Sequence, residues 1–98
     1  MQFIIRAYDG ENSLDKRMAA RPKHLENLTK IDGKLICGGG LLDDAGKMKG
    51  SIMIMEFDNR EKLEQYLETE PYIVEHVWEK FDVENMNVVI VNGEKVGK

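Results

Sequence analysis

The tetrapeptide Ile52-Met53-Ile54-Met55 is apolar at every position, inside an extended run from Ser51 to Phe57. Side chains alternate across a strand, so such a run presents apolar groups to both faces of its sheet. Val88-Val89-Ile90-Val91 repeats the pattern near the end of the sequence. A sheet containing these strands needs a cover on each face. The question is how much covering material the rest of the chain supplies.

Helical material is limited. Gln2 to Tyr8 reads as a first strand, with Phe3, Ile5 and Ala7 facing one way and Ile4, Arg6 and Tyr8 the other; Asp9-Gly10 ends it with turn chemistry. Ser13 is placed to cap a short helical turn through Arg17. The main helix is expected from about Arg21 to Asp32, with Pro22 in its first turn and Gly33 ending it in the left-handed conformation. Lys34 to Gly39 reads as a second strand, and 42–50 as a polar, loosely held hairpin loop. Ser51 to Phe57 is the third strand. Asp58 with Glu61 resembles a capping box opening a second helix, packed through Leu63, Tyr66 and Leu67. Pro71 opens a short helical piece to about Trp78, and Val88 to Val91 is the last strand. The order β, α, β, β, α, β is that of the ferredoxin-like split βαβ motif, an α+β fold with an antiparallel sheet and two helices on one face. The second apolar face then needs a partner, and a second copy packed sheet to sheet is the economical cover. A homodimer is expected.

At 98 residues the chain makes one domain, taken as 1–92, with a polar tail 93–98 expected to fray. Fourteen basic residues stand against 18 acidic ones, and Lys and Arg form no stripe, which argues against a nucleic-acid surface. No apolar run approaches membrane-spanning length. The opening residues carry no secretory-signal pattern, and the lone Cys37 allows no internal disulfide, so a reducing cytoplasm is expected. Cys37 reads as a buried structural thiol.

Among candidate functional residues, His24 stands out because it lies on the apolar stripe of the main helix with Leu28 and Ile31, and Arg21 projects from the same side. It is either a half-buried histidine bonded to backbone or a general acid–base, since imidazole titrates near neutrality. Arg21 beside it makes sense if both face a polar cavity that takes an anion. Glu70, held extended by Pro71, is either a helix-capping acid or the carboxylate that orients His24. Gly38-Gly39-Gly40 lacks dinucleotide-fingerprint spacing; it offers backbone freedom or close approach of a ligand, for which Gly39 is the candidate. Ser51 and two aspartates, Asp43 and Asp44, flank the hairpin. His24, His76 and Cys37 show no metal-ligand spacing, so no metal site is expected.

Three stretches resemble one family in matching order. "SLDKRMAARPKHLENL" is similar to the N-terminal signature of the YciI-like (YCII) family, with its Arg-x-x-His-Leu core at Arg21 to Leu25. "LICGGGLLDDAGKMKGS" resembles its glycine-bearing strand, loop and Gly-Ser step, and "EPYIVEHVWE" its Asp-Pro-Tyr segment and following helix. The resemblance implies a dimeric α+β barrel of ferredoxin-like subunits, a site around His24 and Glu70, with Tyr72 in the same segment, and kinship with muconolactone-isomerase-like enzymes and with lyases that remove chloride from aromatic intermediates. The sequence departs from the family in having Glu70 where Asp is usual and Gly39-Gly40 where Gly-Pro is frequent.

Two functions fit these residues. One is a lyase or isomerase needing no cofactor, acting on a small, anionic cyclic organic acid, with His24 moving a proton, Glu70 holding the imidazole, Arg21 or Arg6 anchoring the anion, and Ser51, Tyr72 and Gly39 lining the ligand. The other is a non-catalytic dimeric binder of a small ligand, or an accessory to another enzyme.

Overall fold

The computed structural model describes residues 1–98. Strand β1 (Gln2–Asp9) is followed by helix α1 (Leu14–Leu28), strands β2 (Lys34–Leu42) and β3 (Met48–Glu56), helices α2 (Arg60–Thr69) and α3 (Pro71–Val74), strand β4 (Trp78–Met86), and two short strands, β5 (Ile90–Val91) and β6 (Glu94–Lys95). The main sheet has the order β2-β3-β1-β4 with every pair antiparallel. This is the ferredoxin-like arrangement expected from the order of elements. Period-two alternation in β1 and β3 sends Phe3, Ile5, Ala7, Met53 and Met55 to the helical side, where they meet Ala20, Leu63, Tyr66 and Tyr72 in one core.

Several boundaries differ from expectation. The fourth strand is Trp78–Met86, not Val88–Val91. Residues 78–86 pair with β1 along its length, with Ile5 opposite Val83 and Ala7 opposite Phe81. As an edge strand β4 can leave Lys80, Asp82 and Glu84 in water, so its polar composition is no obstacle. Val88 leaves the sheet but stays buried, and its N–H donates to Gln2 Oε1 at 2.8 Å. Glu94–Lys95, expected in a frayed tail, pairs with Ile90–Val91 around a turn in which Asn92 and Gly93 both take positive φ.

Helix α1 is continuous through Pro22, merging the expected turn and helix, and it ends at Leu28 rather than Asp32. A proline inside a helix deprives the carbonyl four residues earlier of its donor. Here that residue is Met18, which is exposed, so water can serve it. The inner face buries Arg17, Ala20 and His24, which offsets the lost bond. Gly33 is not left-handed. It is required by close approach instead: an added Cβ would lie 2.4 Å from the Phe57 ring and 2.7 Å from the Glu56 carbonyl oxygen. Asn59, not Asp58, caps α2 by accepting the Lys62 N–H at 2.9 Å. The central loop is only 43–47, drawn tight by Asp43, whose Oδ1 accepts the N–H groups of Ala45 and Lys47. Those bonds hold the Asp43 carboxyl below the usual aspartate range.

Candidate active site

Helix α1 presents Arg17, Arg21, His24 and Leu28 at helical spacing along the face that looks onto the sheet. Opposite them lie Gly38–Gly40 of β2 and Ser51 and Met53 of β3, and Tyr72 of α3 also lines the space. Together with Leu25, Leu35 and Met48 they enclose a cavity of about 150 Å³.

His24 is 8% exposed and its Nδ1 lies 2.6 Å from Glu70 Oε1. Glu70 is fully buried. Pro71 excludes the helical conformation at the residue before it, and Glu70 accordingly takes the extended form (φ −66°, ψ 115°) at the joint between α2 and α3. From there Oε1 also accepts the Tyr72 N–H at 3.0 Å, and Oε2 accepts the Tyr66 hydroxyl. So the carboxylate both caps α3 and faces His24, and the two roles separated in the sequence reading coincide. Glu70 receives only donors, so Nδ1 is the donor in this bond, and in the neutral ring the lone pair is then on Nε2, which bonds no protein group. The ring stacks on Tyr72, centroids 4.0 Å apart and planes at 16°. Burial and the Glu70 charge push the Tyr66 phenol far up, which keeps it a donor.

Helix α3 is pinned behind this group. Val77 N–H bonds the Tyr72 carbonyl and His76 N–H bonds that of Ile73, a Schellman closure with His76 at φ 58°.

Arg17, which sequence reasoning left outside the site, is 3% exposed. Its Nη1 donates to Asp9 Oδ1 at 2.9 Å and its Nη2 to Ser51 Oγ at 2.7 Å, while its Cζ lies 4.6 Å from the Tyr72 ring centroid. Burial raises the Asp9 carboxyl despite the opposing pull of Arg17. Burial likewise raises the Tyr72 hydroxyl, with Arg17 and Arg21 acting the other way. Arg17 lies four residues before Arg21 and seven before His24, on the same stripe. That spacing was the available signal, and it was hidden by starting the main helix at about Arg21. Asp9 and Tyr66 carried no local signal, since each is placed by another element.

The structure therefore brings His24, Glu70, Arg21, Ser51 and Tyr72 together, and Arg21 is half-buried with no ion pair. Arg6 is not brought to the cavity. It lies on the far face of the sheet, paired with Asp82 at 3.2 Å and with Glu84. Gly39 lines the cavity by its backbone only. It pairs with Ile52, so its Cβ position belongs to the far face, and an added Cβ would meet nothing within 4 Å. Gly40 is the tighter position, where a Cβ would lie 3.3 Å from Met48 and 3.7 Å from Arg17 Nη2. Cys37 is exposed, not buried.

A ferredoxin-like chain with a buried histidine–carboxylate pair over a small cavity defines the class. The chain belongs to the YCII-related domain family, whose pattern it matches over residues 1–87. It is 32% identical to protein YciI of Escherichia coli O6:H1 over 91 residues, 85% of this chain and 93% of the relative. Among solved structures it is similar to 5-chloro-2-hydroxyhydroquinone dehydrochlorinase from Burkholderia phenoliruptrix, in complex with 2,5-dihydroxybenzoquinone. The TM-score is 0.78 at 27% identity, with 88% of this chain and 93% of the other covered. An antibiotic biosynthesis monooxygenase shares the fold alone, at TM-score 0.57 and 15% identity over 91% of this chain and 98% of its own. No helix is long and apolar enough to cross a membrane.

Proposed function

We propose that the protein is a lyase or isomerase that moves protons on a small, anionic cyclic organic acid without a cofactor, and that it works as a homodimer in the cytoplasm. The observation that carries this reading is the 2.6 Å bond from His24 Nδ1 to Glu70, which leaves Nε2 free in the cavity. Glu70 fixes the tautomer and stabilises the imidazolium that forms when Nε2 takes a proton. Arg21, unpaired in the same cavity, receives the charge of the substrate acid. The similarity to a dehydrochlorinase supports small-ring chemistry of this kind.

The test is a screen of the purified protein against lactones and chlorinated hydroxyquinols. Turnover is expected for at least one of them, and His24→Ala should lower it by about 10²–10⁴-fold. Equal turnover by His24→Ala would overturn the assignment. Binding across the panel with no turnover would make the protein a binding module.

A further inference from the structure

Arg17 and Ser51 take no part in the proton transfer proposed above, yet both are 3% exposed and both line the cavity. The two terminal nitrogens of Arg17 are committed to Asp9 and Ser51, but its Nε–H is buried without any acceptor. Ser51 Oγ accepts from Arg17, and its own O–H donates to no protein group. Buried donors without acceptors are uncommon, and each calls for an explanation. Both residues line the cavity that His24 also lines, and His24 Nε2 bonds no protein group there. Leu25, Leu28, Leu35, Met48 and Met53 make much of the remaining lining apolar.

We infer that Arg17 and Ser51 form an electrophilic subsite for the carbonyl oxygen of an enolisable cyclic carbonyl compound. This deepens, and rests on, the proton-transfer reading. His24 Nε2 removes a proton from the carbon next to the carbonyl. The C–H electron pair becomes a carbon–carbon double bond, and the carbonyl π pair moves to oxygen. The Ser51 O–H and the Arg17 guanidinium stabilise that enolate oxygen, as donors aimed at developing charge do. The imidazolium then returns the proton to a conjugated carbon, giving the isomer with no other reactant. Asp9 is a positioning residue that holds the guanidinium plane against Ser51.

The test uses 2,5-dihydroxybenzoquinone as probe, titrated calorimetrically into the whole protein. Ser51→Ala should weaken binding by at least about tenfold, and Ser51→Thr, which keeps the hydroxyl, should recover most of it. In the parent, the Arg17 Nε–H resonance should shift with saturation of the probe. Unchanged affinity in a folded Ser51→Ala, with a stationary Arg17 resonance, would overturn the subsite. Solvent-deuterium exchange into a butenolide separates this outcome from failure of the broader reading. Exchange lost in His24→Ala, together with full probe binding by Ser51→Ala, removes the subsite and keeps the proton transfer. Ser51-dependent binding with exchange undiminished in His24→Ala does the reverse.

Discussion

The Tyr66 hydroxyl occupies Glu70 Oε2, the acceptor that His24 and Tyr72 leave free. Glu70 is fully buried, so no water replaces that donor if it is removed. Tyr66→Phe should therefore cost about 1–3 kcal/mol, read as a lower urea midpoint at unchanged slope. An unchanged midpoint would mean that Oε2 finds another donor. Asp9 supplies a pH dependence of definite sign. Its folded carboxyl is raised by burial, which outweighs the pull of Arg17. The fold thus holds the Asp9 proton more tightly than the unfolded chain does. The linked stability is present below the unfolded value of about 3.9 and is lost as pH rises through the higher folded value. Urea unfolding of the parent and Asp9→Asn, compared from pH 3 to 6, should show this downward component in the parent alone; parallel pH profiles would contradict it. Residue parity also decides Arg6. Alternation in β1 sets Arg6 with Ile4 and Tyr8, opposite Phe3, Ile5 and Ala7, and therefore away from the helices. The far-face ion pairs of Arg6 follow from that parity, and grouping it with the substrate anchors overlooked it.

Helix α3 has only four residues, too few to stand without closure at both ends. Glu70 caps its start and the His76 closure its end, so the element that carries Tyr72 is held by its termini. His76 pays for the closure with a left-handed backbone, φ 58°, on an exposed side chain. His76→Gly should relieve that strain and stabilise the fold by up to about 1 kcal/mol. The corresponding rise in Tm is roughly 4–8 °C for a domain of this size. An unchanged or lower Tm would show that the backbone is not strained there. The same closure explains why β4 was illegible. A helix extrapolated from Pro71 to Trp78 absorbs the strand's first residue, and the polar run Glu79 to Met86 resembles a loop unless its pairing with β1 is known. Elements set by local periodicity, β1 and β3, were legible. The start of β4 and the continuity of α1 depend on tertiary partners, and so does the convergence of Arg17 and Asp9.

At the scale of the whole molecule, the far face of the sheet remains to be covered. Relocating the fourth strand changes what that face offers. Val88–Val91 no longer extends the sheet, and β4 contributes Asp82 and Glu84, which are engaged by Arg6. The apolar part is made by Ile4 and Tyr8 of β1, Ile52 and Ile54 of β3, and Cys37 and Leu41 of β2. It runs into a groove of about 480 Å³ where Ile36, Cys37 and Ile54 meet Met86 and residues 87–92. None of these far-face isoleucines belongs to the core beneath the helices. A second copy, related by a two-fold axis, would set one apolar half against another while the Arg6 pairs stay at the rim in water. Sedimentation at micromolar concentration should therefore give a dimer. Ile54→Glu should give a monomer that keeps its helical circular dichroism, because the charge is buried only in the assembly. A monomeric parent would show that this face is content in water, and an unfolded Ile54→Glu would show that Ile54 supports the subunit rather than the pair.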